Sequence, residues 1–490
     1  MRLSSSSLST AGAVRRSSRS LLLGLPLWLL ALVACGPSNE TVDEVPPPPA
    51  PKNVVFVLLD TLRADHLSFL GYARPTSPFL DQLAAEGLVF ERMVSAAPAT
   101  FPSVNSLFTS LHPSFFYRTA SKDFGIPESR TTMAEIFRDR GFRTAAVSSS
   151  PVVRSSPSFF NPDGGFGQGF ETFDESCGFA KRHVPPFTAP CVTDRALELL
   201  EGFAEAPFLL YVHYLDPHDP YNPPPEAKIF SSPYAGENEF LESGSTFPIR
   251  QLLRGQRDDF EIGEGDIEYL RDLYDEEIRA VDDQIRRLVG AVEARGSLEE
   301  TLFVFVSDHG ESFLEHEAVW QHGTSVYQSE LHTVLMFYQA GRWPSGDRRS
   351  HLACTVDVLP TLLELMDFPP TEEAVGASLL DDSPTRRSSA CYSLGRGNWK
   401  SQKANLLSLR VGSEKLIYKR QEEVYELYDL ATDPMEQQNL ATLPEYRERL
   451  RALATLLAVW EQDEGGEGPE GTVELDPEAE RALRALGYID

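Results

Sequence analysis

Two aspartates close apolar runs in this chain. Asp60 ends NVVFVLLD, and Asp308 follows TLFVFVS with His309 beside it. Carboxylates offer hard oxygen ligands and imidazole a borderline nitrogen, so the three could hold one divalent cation, with zinc or manganese favoured and calcium possible. A strand-end aspartate by itself is commonly a helix cap, and a lone histidine a satisfied polar residue. Two such ends together with His309 and a downstream His322-Gly323 point to a cation. A hydroxyl for the same chemistry stands at Thr100, in ATFPSVNSL. Pro102 and the small hydroxyl residues around it mark a helix start, where the positive helix end favours an anion. A hydroxyl beside a cation and a helix N-terminus could attack phosphorus or sulfur. Taken alone, the segment reads as a plain N-cap threonine.

These side chains need a rigid frame. From residue 53 onward short apolar runs alternate with helical patterns. Strands are predicted at 53–60, 143–148, 207–213, 301–307 and 333–338, and helices at 78–86, 131–140, 192–205, 267–295 and 355–366. The first run is continuous and β-branched, as a strand buried on both faces requires. The alternation implies an α/β fold, a mostly parallel central sheet flanked by helices. Ligands of such sheets bind beyond the carboxyl ends of the strands, where Asp60 and Asp308 fall. After about residue 385, LLSLRVG, EKLIYKR and VYELYDL predict a small antiparallel sheet, followed by helices at 443–462 and 476–486. The Pro-, Ser-, Gly- and Glu-rich stretch 221–262 reads as a surface insertion near the site.

The motifs resemble the sulfatase family, of the alkaline-phosphatase-like superfamily. NVVFVLLDTLRADHLSFLGY and TSPFLDQLAAEGLVFERMVSAAPATFPSVNSLFTSLHP are similar to its N-terminal signature. GFGQGFETFDE, HYLDPHDPYNPP, SDHGESFLEHEAVWQHG and ELYDLATDPMEQQNL are similar to later motifs, in family order over 53–440. The resemblance implies Asp60, Asp308 and His309 as metal ligands, Thr100 as nucleophile and further metal ligand, and His218 and His322 as catalytic residues handling the transferred group. Three positions depart from the pattern. Thr61 stands where sulfatases have a second aspartate. Thr100 replaces the Cys or Ser that is oxidised to formylglycine, and Val104 replaces the motif's arginine. These departures resemble relatives that cleave phosphonates and phosphodiesters.

The expected function is therefore a metal-dependent hydrolase of sulfuric or phosphoric/phosphonic esters, with phosphorus slightly favoured. The alternative is a non-catalytic lipoprotein that binds a sulfated or phosphorylated glycan or lipid. A net charge of −29 excludes nucleic acid as a natural partner. Residues 1–34 carry four arginines before the apolar run LLLGLPLWLLALVA, and no acid occurs before Glu40, which reads as a signal peptide. Leu32-Val33-Ala34-Cys35-Gly36 resembles a bacterial lipobox, which implies lipidation at Cys35 and an exported, membrane-anchored protein facing the periplasm or cell surface. Residues 35–52 would be a proline-rich tether, 53–385 the catalytic domain and 386–490 a C-terminal subdomain. Cys177 and Cys191 could pair in an oxidising compartment, whereas Cys354 and Cys391 read as isolated buried residues.

Overall fold

The computed structural model describes residues 50–118, 125–158, 161, 164–178, 187–316, 319–381, 390–395 and 405–463. Cys35, the leader, most of the tether and the helix expected at 476–486 lie outside them.

Strand β1 (Asn53–Leu59) is apolar after its first residue and fully buried, and it lies at the centre of an eight-stranded sheet. The other strands are β2 (Leu88–Val94), β3 (Arg143–Ser148), β4 (Thr172–Asp174), β5 (Phe208–Tyr214), β6 (Thr301–Ser307), and, beyond a two-residue ribbon of β7 (Ser312–Phe313) and β8 (Trp320–Gln321), β9 (His332–Tyr338) and β10 (Asp347–Cys354). The order is β10-β2-β9-β6-β1-β5-β3-β4. Every pairing is parallel except those of β9, which runs antiparallel to both β2 and β6.

Ten helices are described: α1 (Pro78–Ala84), α2 (Thr100–Thr109), α3 (Pro113–Arg118), α4 (Met133–Arg138), α5 (Ala189–Gly202), α6 (Phe247–Leu253), α7 (Glu264–Ala294), α8 (Gln328–Leu331), α9 (Val358–Leu365) and α10 (Arg447–Asp463). Because side chains of a strand alternate, Val55, Val57 and Leu59 enter one core with α1, α5 and α7. Val54, Phe56 and Leu58 enter a second core with α2, α4 and α9. The result is three layers with the sheet in the middle. Helix α5 starts earlier than expected because Pro190, lacking a donor, fits its first turn.

A second sheet of four antiparallel strands, β11 (Ala390–Gly395), β12 (Leu406–Val411), β13 (Glu414–Lys419) and β14 (Val424–Asp429), follows the main one. One face packs Leu407, Leu409, Leu416 and Leu427 under Leu453 and Leu457 of α10. On the other, Ile417 and Tyr428 meet Val326, Leu331 and Leu352 of the large domain. The pairing of Cys177 with Cys191 is present. The expectation for Cys354 and Cys391 is corrected: they form a disulfide joining the end of β10 to β11. Their separation of 37 residues concealed a pairing made by the docking of the second sheet.

Candidate active site

Register brings the chemistry together. Leu59 pairs with Tyr214 on one side and Ser307 on the other. The residues that follow, Asp60, Leu215 and Asp308, therefore leave the sheet at one level. Asp60, Asp308 and His309 are all buried, and one ligand atom from each lies within 4.8 Å of the others. The chain leaves β1 through Thr61 at φ 57, a left-handed conformation that is costly for a β-branched residue. It is held by its N–H donating to Asp308 Oδ1 at 3.2 Å and its carbonyl accepting from Tyr274 Oη at 2.7 Å.

His309 Nδ1 donates to the Gly310 carbonyl at 2.9 Å, which leaves Nε2 with its lone pair. That nitrogen is 3.3 Å from Asp308 Oδ2 and 3.7 Å from Asp60 Oδ1. Thr100, the first residue of α2, places Oγ1 at 3.2 Å from the same nitrogen. Both Asp60 Oδ1 and Asp308 Oδ2 are buried without a hydrogen-bond partner, as is Thr61 Oγ1. Buried carboxylate oxygens are almost always satisfied, so two open ones facing an imidazole lone pair fit a divalent cation.

The two carboxylates divide the charge. Burial raises the pKa of Asp60, but the hydrogen bond and charge of His213, with the charges of His218 and His309, outweigh it and hold Asp60 below its ordinary value. Burial and the Asp60 charge push Asp308 up. Burial likewise lowers His309. A cation would relieve the repulsion between the two carboxylates.

His218 and His322 arrive from different loops with ring centroids 5.0 Å apart, and His322 is 4.5 Å from His309. His218 Nδ1 donates to the Asp219 carbonyl at 2.7 Å, and His322 Nδ1 donates to Glu311 Oε1 at 3.2 Å. In each ring these bonds use Nδ1 and leave Nε2 outside them. Burial, reinforced by the His218 charge, lowers His322 to about 3. Every described residue expected at the site is therefore in one place.

Three residues were missed. His213 on β5 donates from Nε2 to Asp60 Oδ2 at 3.1 Å and fixes that carboxylate. Its signal was a histidine inside a largely apolar run that is wholly buried, His213 included. Glu311, fully buried two residues after His309, orients His322, and Oε2 of this carboxylate is open. Glu330 accepts from the Gly323 N–H at 2.7 Å and from Ser325 Oγ, fastening the turn after His322. The contacts of Glu311 and Glu330 span 11 and 7 residues of one irregular stretch and follow no helical or strand spacing. His316 stacks on Tyr327 with centroids 3.6 Å apart, which is packing at the domain junction.

A hydroxyl, an imidazole and two carboxylates with open oxygens, at the carboxyl end of this sheet, define an ester hydrolase of the alkaline-phosphatase-like fold. Residues 52–368 match the sulfatase family, and residues 316–463 match the C-terminal region of N-sulphoglucosamine sulphohydrolase. The chain belongs to the sulfatase family. It is 25% identical to the multifunctional alkaline phosphatase superfamily protein PehA of Trinickia caryophylli, covering 84% of this chain and 95% of that one. It is 23% identical to an arylsulfatase of Clostridium perfringens, covering 83% and 93%. The fold is shared with a protein solved with its substrate D-glucosamine-2-N,6-O-disulfate, at a TM-score of 0.67 and 20% identity over 86% of this chain and 100% of that one. It is shared also with the phosphonate monoester hydrolase of Agrobacterium radiobacter, at a TM-score of 0.66 and 20% identity over 84% and 96%.

Proposed function

We propose that this hydrolase cleaves esters through Thr100, with phosphoric or phosphonic esters favoured over sulfuric ones. The observation that carries the reading is Thr100 Oγ1 at 3.2 Å from His309 Nε2, on the edge of the cluster formed with Asp60 and Asp308. A divalent cation held by Asp60, Asp308 and His309 supplies Lewis acidity, lowering the pKa of a hydroxyl and offsetting charge on the ester. Thr100 Oγ1 attacks phosphorus, and the bond to the leaving oxygen breaks. The threonine proton passes by way of His218 or His322 to the departing alcohol. Water then attacks phosphorus and gives its proton to a histidine, the bond from phosphorus to Thr100 Oγ1 breaks, and the histidine returns that proton to the threonine oxygen.

Two features favour phosphorus. A sulfated threonine must be attacked a second time at sulfur, because threonine cannot eliminate sulfate as a formylglycine hydrate does. Position 104, where the family's motif has an arginine, carries a valine fully buried in the core. The test is parallel turnover of an aryl phosphate diester, a phosphonate ester and an aryl sulfate by one preparation and by Thr100→Ala. The variant is expected to lose turnover while keeping fold and metal, and the wild type to carry phosphate on Thr100 when quenched. Faster turnover of the aryl sulfate, or an active Thr100→Ala, would overturn the proposal.

Export and lipid anchoring at Cys35 are part of the same reading, with a sulfated or phosphorylated small molecule, glycan or lipid as the substrate. Disulfides Cys177–Cys191 and Cys354–Cys391 support an oxidising compartment. Incorporation of labelled fatty acid that vanishes in Cys35→Ser, with release from the membrane, is the expected outcome. A soluble wild-type protein would sink it.

A further inference from the structure

We infer that Arg250, from the insertion at 221–262, is the anion-recognising cation of this site, taking the place left by Val104. The inference rests on reading the site as one for anionic esters, and deepens it. The insertion is tied to both histidine loops through one residue. The Thr246 N–H donates to Asp219 Oδ1 at 2.8 Å, and its hydroxyl donates to the same oxygen at 2.5 Å. Asp219 follows His218. The same hydroxyl accepts from the side-chain amide of Gln321, which precedes His322. Helix α6 therefore begins on top of the two loops that hold the paired imidazoles.

Arg250 lies one turn along α6, its N–H donating to the Thr246 carbonyl at 3.2 Å. Its guanidinium reaches back to Asp219 Oδ2 at 3.7 Å, a loose ion pair, and lies 5.6 Å from the ring centre of Phe247. The side chain keeps 36% of its surface in solvent, yet Nε is buried and has no hydrogen-bond partner. The guanidinium thus sits beside Asp219, the residue after His218, is only loosely paired, and has an unused donor.

Among the described residues, a second guanidinium near the site, that of Arg63, is already engaged. Arg63 is bound to Asp65, to Glu315 and to the Glu311 carbonyl at 2.9 Å. Position 104 is sealed in the core. An entering ester brings anionic oxygens to a place lined by Asp60, Asp308, Glu311 and Asp219, so a cation that can turn from a loose carboxylate to the ester decides whether the anion is held. Guanidinium suits this because its donors pair with two oxygens at once. Phe247, 52% exposed beside it, offers an apolar face to the alcohol side of the ester.

Binding of inorganic phosphate to the zinc- or manganese-loaded full chain, measured by calorimetry at low ionic strength, tests this without turnover. Arg250→Gln and Arg250→Ala are expected to weaken phosphate about tenfold, the worth of one charge-assisted contact. Arg250→Lys should recover part of the affinity, with metal content equal in all. Thr100→Ala should still bind phosphate, so failure of the hydrolase reading would be seen separately from failure of this one. Phosphate affinity unchanged in Arg250→Gln, with only a lower melting temperature, would show a fold clamp and overturn the inference.

Discussion

On the long helix α7, Asp275, Glu276 and Asp282 are fully buried, and each oxygen of all three carboxylates has a donor. Asp275 takes His66 at 2.6 Å, Tyr72 at 2.7 Å and Arg74 at 2.9 Å. Glu276 takes the N–H groups of Phe230 and Ser231 and the Ser231 hydroxyl. Asp282 takes the Phe79 and Leu80 N–H groups at 2.8 Å each and so caps α1. At the carboxyl ends of β1 and β6 the acids are just as buried, yet Asp60, Asp308 and Glu311 each keep one open oxygen. Unpaired buried charge is costly. These three α7 acids are satisfied by the fold itself and hold it together, whereas each strand-end acid keeps an oxygen that no donor among the described residues satisfies. Glu277 lies between the two groups: one oxygen takes the Asn222 N–H at 2.6 Å, the other is open, and burial pushes its pKa well up.

The sharpest way to break this contrast is to neutralise one member of each group. Asp308→Asn is expected to abolish metal retention and to cut turnover by about 1000-fold or more, while the metal-free protein melts no lower, because a like charge beside Asp60 is gone. Metal content by mass spectrometry and melting curves on chelated protein check both halves. A clear drop in the melting temperature of the chelated variant would place Asp308 among the structural acids. Asp282→Ala should do the reverse. Two N–H groups lose their acceptor and Arg279, at 3.7 Å, loses a partner, so stability falls by about 3 kcal/mol. Metal content and turnover per folded molecule are expected to hold. Loss of metal from the Asp282 variant would erase the distinction between the groups.

The same contrast explains what could be read from the chain. Strands β1 and β6 were legible because they are apolar and buried on both faces, and the acids after them mark where the sheet ends. Strand β2 was missed because Glu91 and Arg92 interrupt its apolar run. Strand β10 was missed because DRRSH, on the sheet edge, is mostly half-exposed and charged. The reversed direction of β9 has no local signature, since strand direction is set by what it pairs with. The candidate ligands Asp60 and Asp308 show as breaks in apolar patterns. Of the supports in the site, His213 on Asp60 joins strands 153 residues apart, and Glu311 on His322 spans 11 residues of irregular chain with no helical or strand period.

Glu311→Gln sharpens the comparison within the site. Glutamine keeps the size but can turn its amide nitrogen toward His322 Nδ1, so the ring loses its fixed orientation. Turnover is expected to fall about 10- to 100-fold, the usual cost of removing such a support, with metal content unchanged. Activity equal to wild type would mean that Glu311 merely fills space.

The smallest effect concerns a buried, unpaired nitrogen on a half-buried ring away from the candidate site. His112 lies against Trp460 of α10, ring centroids 5.2 Å apart, with Nδ1 lacking a partner. Burial pulls its pKa from an ordinary 6.5 to about 4. In that window the unfolded chain takes up a proton that the folded chain refuses, so the unfolded state binds more protons and stability falls with falling pH. The stability is complete above 6.5 and is lost progressively toward 4. At about pH 5.5 the loss is about 1.5 kcal/mol. His112→Phe keeps an aromatic ring against Trp460 and removes the titration. Its denaturation midpoint relative to wild type is therefore expected to rise between about pH 7.5 and about pH 5.5, by an amount matching that loss. If the gap between the two proteins is the same at both pH values, His112 is protonated in the fold, and an unpaired nitrogen in this chain does not by itself mark a cost.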